Sequence, residues 1–135
     1  MSRLCLLTTL TLIINAATSN AVRSLELLPV RIVGIAVVYI DSATVDRTDG
    51  RSQVWSLWNY ASDQLNVYEE PYQSVRFLNN YDCEHRTVRI VEVREYSEPF
   101  GRGSPLRVFG GEGLNERSVP RGSVGDEILE RVCFP

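Results

Sequence analysis

The sequence predicts an α+β domain. It is an antiparallel sheet of about five or six strands, with a C-terminal helix packed on one face and tethered there by a disulfide. Three observations carry this reading. β-Branched and alternating runs recur through residues 30–97 between turn signals. A capped amphipathic segment follows Ser123. Cys83 lies on the apolar parity of one strand and Cys133 at the edge of the helix's apolar stripe, so a helix covering the sheet would bring them together.

The first 21 residues read as a signal peptide. Arg3 supplies the positive start, residues 4–14 the apolar run, and Ser19-Asn20-Ala21 the small-residue exit, placing cleavage after Ala21. The run is about half the ~20 residues a membrane span needs. Residues 22–135 then form one domain, exported to the periplasm, the cell surface or the medium. Cys5 leaves with the signal, and the two remaining cysteines, Cys83 and Cys133, read as a bridge in an oxidising compartment. Closing a loop of this length stabilises by roughly 4 kcal/mol in the chain-entropy model.

Residues 30–40 are apolar on both parities, which suits a strand buried on both faces or one bent near Gly34. A turn at Asp41-Ser42 follows, and Asp49-Gly50 signals a hairpin into a strand over 53–60 carrying Trp55 and Trp58. Residues 61–71 read as a loop closed by Pro71. Beyond it, Val75, Phe77, Tyr81 and Cys83 share one parity, and Arg76, Asn80, Asp82, Glu84 and Arg86 the other, with Leu78 the exception. Val88, Ile90, Val91 and Val93 change parity midway along the next strand, which a bulge near Ile90–Val91 would explain. Residues 99–118 are turn-rich, with one short strand at 106–109. In the final helix Ser123 is the N-cap, and Asp126 three residues on can complete a capping box. Val124, Gly125, Ile128, Leu129, Val132 and Cys133 fill one half of the wheel, with Asp126, Glu127, Glu130 and Arg131 opposite.

The charge balance excludes some functions. There is no Lys, and without Arg3 the chain carries 13 Arg against 17 acidic side chains, net −4. Nucleic-acid binding needs a basic field and is not expected. No segment after residue 21 is apolar enough to span a membrane. The only histidine, His85, reads as a partly buried, hydrogen-bonded side chain and not as a catalyst. Glu69-Glu70 and the glycines of 110–113 lack the context of an acid–base pair or a phosphate loop. No catalytic, metal or cofactor site is expected. Tyr68, Tyr72, Tyr81, Tyr96 and the two tryptophans suit either a recognition surface or cross-strand packing.

Certain residues in order resemble the surface-adhesin protein E family. They are Val54-Trp55-Ser56-Leu57 with Tyr60, Pro71-Tyr72-Gln73-Ser74-Val75, and Tyr81-Asp82-Cys83-Glu84-His85-Arg86. Tyr96-Ser97 before Gly101 and Gly103, and Val119-Pro120-Arg121-Gly122-Ser123 ahead of the helix ending at Cys133, complete the set. The resemblance implies a sheet with a disulfide-tethered C-terminal helix. It also implies a non-enzymatic binding protein that recognises host matrix or serum proteins. The alternative is a periplasmic domain holding a small molecule or envelope component between helix and sheet. The polar parity of residues 76–86 offers a partner-binding face, with Arg76 and Arg86 flanking Asp82 and Glu84, a mixture able to grip charged segments of a protein.

Overall fold

The computed structural model describes residues 24–110 and 115–135. The signal peptide expected over 1–21, most of the glycine run at 110–113, and the start of the segment after it lie outside these residues. The described chain forms one antiparallel sheet. Six strands follow in the order β1 (Leu27–Val33), β2 (Ala36–Asp41), β4 (Arg51–Leu65), β5 (Pro71–Asp82), β6 (Thr87–Tyr96) and β7 (Arg107–Gly110). Two short strands flank this path: β3 (Asp46–Thr48) on β4 and β8 (Arg117–Ser118) on β6. One helix, α1 (Val124–Cys133), closes the fold.

Several local readings hold, with their physical causes visible. The 30–40 run bends at Gly34, whose φ of 58° makes the tight turn between β1 and β2. Within it β2 is buried through Ala36, Val38 and Ile40 on one face and only partly covered at Val37 and Tyr39 on the other; β1 is an edge strand, with Ile32 72 % exposed. Asp49 and Gly50 both take positive φ and join β3 to β4. The parity change in β6 is a bulge: Leu78 pairs with Glu92 and Asn79 with Ile90, leaving Val91 over.

Three segments differ from the sequence reading. The expected loop at 61–71 is mostly strand, because β4 continues to Leu65 and pairs with the start of β5. Only residues 66–70 turn, organised by the Asn66 side chain, whose Oδ1 accepts from the Tyr68 and Glu70 amides. The strand expected to run through Arg86 stops at Asp82. Asp82 Oδ1 accepts from the Glu84 and His85 amides and turns the chain, and Arg86 follows with φ 53°. Glu84 and Arg86 therefore leave the strand parity. His85 moves with them: its side chain is 70 % exposed, not partly buried.

The helix packs as its pattern predicts. Ile128, Leu129 and Val132 are buried against Val38 and Ile40 of β2, Val54 of β4 and Tyr81 of β5. Each such aliphatic side chain contributes roughly 1.5–3 kcal/mol on burial. Ser123 Oγ accepts from the Asp126 amide, and the Asp126 carboxylate accepts from Gly122 N, one residue earlier than in a standard capping box. Cys83, one residue past β5, joins Cys133 at a Cα–Cα distance of 5.6 Å. Ser52 Oγ and Arg47 Nε both donate to the Val132 carbonyl, which secures the helix end to β4 and β3.

Candidate functional site

The helix covers one face of the sheet. Among the described residues the opposite face is capped at one end, by the 3-10 turn Pro99–Gly101. That turn is fastened by Phe100 N donating to Asn59 Oδ1 (2.7 Å) and Gly101 N donating to Ser74 Oγ (2.9 Å). Phe100 meets Tyr39 edge-on, with ring centroids 6.1 Å apart. Glycine is favoured at 101: φ is 63°, and a Cβ there would lie 2.9 Å from Arg76 Cδ.

Beyond the turn lies a mixed aromatic and arginine surface. Trp55 and Trp58 are three apart on β4, so they point to opposite faces. Trp58 packs against the helix-side core, and Trp55 stands half-buried on the open face. Two guanidinium groups stack on the Trp55 ring, Arg76 from β5 at 5.0 Å and Arg94 from β6 at 4.8 Å. The register explains this, since Arg76 pairs with Arg94 and lies diagonal to Trp55. The two like charges are tolerated because each has its own carboxylate. Arg76 pairs with the buried Asp41 at 3.1 Å, and Arg94 with Glu92.

At the far end of the same face, Arg51 donates to Asn80 Oδ1 at 2.5 Å, Asp82 Oδ2 at 3.3 Å and Glu116 Oε1 at 2.6 Å. The Asp82 carboxyl is held below the usual range, chiefly by the His85 amide that donates to it. Glu116 is lowered in the same sense, first by its hydrogen bond from Arg51. Arg89, opposite Asn80, is exposed and has no ion-pair partner among the described residues.

The four side chains predicted as one partner-binding face are therefore not together. Arg76 and Asp82 lie on the open face. Arg86 reaches the other way, to Asp126 and Glu130 of the helix. Glu84 is exposed in the turn between them. Arg86 instead clamps α1 and lowers Asp126, after the larger effect of the Gly122 amide. Sequence reading offers Trp55 only among the aromatics that suit a recognition surface or cross-strand packing, and does not single out Arg94. Trp55 could have been assigned a face by its spacing from Trp58, but its two arginine neighbours depend on strand register and on the bulge that shifts Arg94. Among the described residues no group of three His, Cys, Asp or Glu side chains could hold a metal ion.

Comparison with known proteins places this arrangement in context. The family model described as Surface-adhesin protein E matches residues 30–134. Crystal form II of Haemophilus influenzae protein E is similar in fold: TM-score 0.56 and 17 % identity, covering 78 % of this chain and 91 % of that one. Protein E from non-typeable Haemophilus influenzae gives 0.56 and 16 %, covering 78 % and 74 %. A further Haemophilus influenzae protein E structure gives 0.55 and 14 %, covering 81 % and 92 %. No curated protein sequence matches the chain.

Proposed function

We propose that this chain, which belongs to the surface-adhesin protein E family, holds its protein partners on the open face of its sheet. As a family member it is a surface-adhesin-like binding protein, with the exported or surface location the family implies. The finer reading is a non-enzymatic adhesin for host matrix or serum proteins. Trp55 between Arg76 and Arg94 is the observation that carries the choice of face. Tryptophan and arginine dominate the energetics of protein interfaces, and a ring already flanked by two guanidiniums is pre-organised for contact. Asp82 and Arg89 extend the face toward ligands of mixed charge.

Binding to immobilised matrix proteins tests this reading. Arg76 is the wrong residue to reverse, because Arg76→Glu would set a second carboxylate against buried Asp41. Trp55→Ala and Arg94→Gln leave that pair in place and set no new carboxylate against Glu92. Each is expected to weaken binding by about tenfold or more, with a melting temperature close to wild type, and the wild-type affinity should fall with added salt. Unchanged affinity in the folded double variant removes this face.

A further inference from the structure

A pocket lies on the helix side of the molecule, at the C-terminal end of α1. There β1, β2, β3 and the 3-10 turn Ser42–Thr44 surround a volume of about 570 Å³. Binding sites for small organic ligands run from about 300 to 1,000 Å³. Ile40 and Val45 line it beneath, and Leu28 and Phe134 stand at its walls. Leu28 is 44 % exposed and Phe134 55 %, so apolar surface remains in water that a ligand would cover.

Among the charged side chains that line the pocket, the positive ones are left without ion pairs. Arg47 Nε donates to the Val132 carbonyl at 2.7 Å, and Arg131 donates through one terminal nitrogen to the Pro29 carbonyl at 2.7 Å. Neither guanidinium forms an ion pair among the described residues, although each retains donors. Glu130, the acidic side chain at the rim, is already engaged by Arg86 at 2.7 Å and Arg121 at 3.5 Å. Two arginines, held in place by backbone and not by carboxylates, thus border an apolar cavity. A neutral apolar ligand would leave their charge unmatched, and a cation would be repelled.

We infer that this pocket binds a small amphipathic anion, with its single apolar tail against Leu28, Ile40, Val45 and Phe134 and its headgroup between Arg47 and Arg131. A carboxylate and a phosphate monoester share the chemistry that these forks accept. The site is separate from the open face, so it stands or falls independently of host-protein binding. Calorimetric titration of the disulfide-bonded protein with decanoate, decyl phosphate, decanol and decylamine tests it, each below its aggregation concentration. Saturable binding of one site is expected for at least one of the two anions, with the tighter identifying the headgroup. The alcohol and the amine should bind about tenfold more weakly or not at all. Arg131→Gln and Leu28→Glu alter surface-accessible walls. Both should weaken anion binding by about tenfold or more while matrix-protein binding is unchanged. Failure of both anions to saturate, equal binding of decanol, or indifference to Leu28→Glu in a protein of normal melting temperature overturns the proposal.

Discussion

Asp82 shows how one side chain can redirect a strand and create a titrating pair. Its Oδ1 accepts the Glu84 and His85 amides, and its Oδ2 lies 3.1 Å from His85 Nδ1. The Asp82 carboxyl is lowered mainly by the His85 amide. The His85 imidazole is raised above its ordinary 6.5, first by the hydrogen bond to Asp82 and then by its charge. The charged pair accordingly exists between those two shifted values. Its stabilisation is lost as pH falls through the lowered Asp82 value, and again as pH rises through the raised His85 value. An NMR titration of the imidazole should give a midpoint above 6.5 in wild type, returning toward 6.5 in Asp82→Asn. A wild-type midpoint at or below 6.5 contradicts the pairing. Alternation alone could not foresee this turn. Parity placed Tyr81 and Cys83 toward the helix, yet Asp82 hooking the amides ahead of it is a side-chain event that periodicity does not encode. It carried Glu84, His85 and Arg86 off the face that the alternation assigned to them.

Among the elements, the helix was the most legible and the long hairpin the least. Helical periodicity, Ser123 and the two cysteines all point to one docking, and each agrees with the others. The β4–β5 hairpin is longer than its composition suggests, because residues 61–65 are largely polar and exposed and are ordered by pairing across the strand. The bulge at Val91 was readable because both flanking parities were apolar. What the helix adds can be measured through its tether. Cys133→Ser opens a link spanning 50 residues of sequence and should cost about 2–5 kcal/mol in denaturant unfolding. Wild-type stability in that variant would mean that the buried Ile128, Leu129 and Val132, with the polar contacts of Ser52, Arg47 and Arg86, keep the helix docked without the bridge. Ser123 closes the first turn, and its capping bond supports the helix by roughly 1 kcal/mol on the same scale.

At the scale of the whole molecule, one face of the sheet is a core and the other is a surface. The fully covered side chains are concentrated under α1, in β2, β4 and β5, whereas β1 and β7 are edges. Native-state hydrogen exchange should therefore be slowest at the amides of Val38 and Val54 and fastest along β1 and β7. Comparable protection at the edges would show that they are covered in solution. The overall class was legible because an amphipathic helix and an alternating sheet have few ways to bury each other. The face proposed for binding was not, since it depends on which strands become neighbours. The covering helix also has a consequence in time. Its contacts with β2 bridge some ninety positions of chain, so the part of the molecule made first waits for the part made last. Until residues 124–133 arrive, Val38, Ile40 and Val54 line a bare sticky wall. A chain delivered from its N-terminus spends that interval in need of a chaperone, and a truncation that removes α1 should aggregate even though every main strand of its sheet remains.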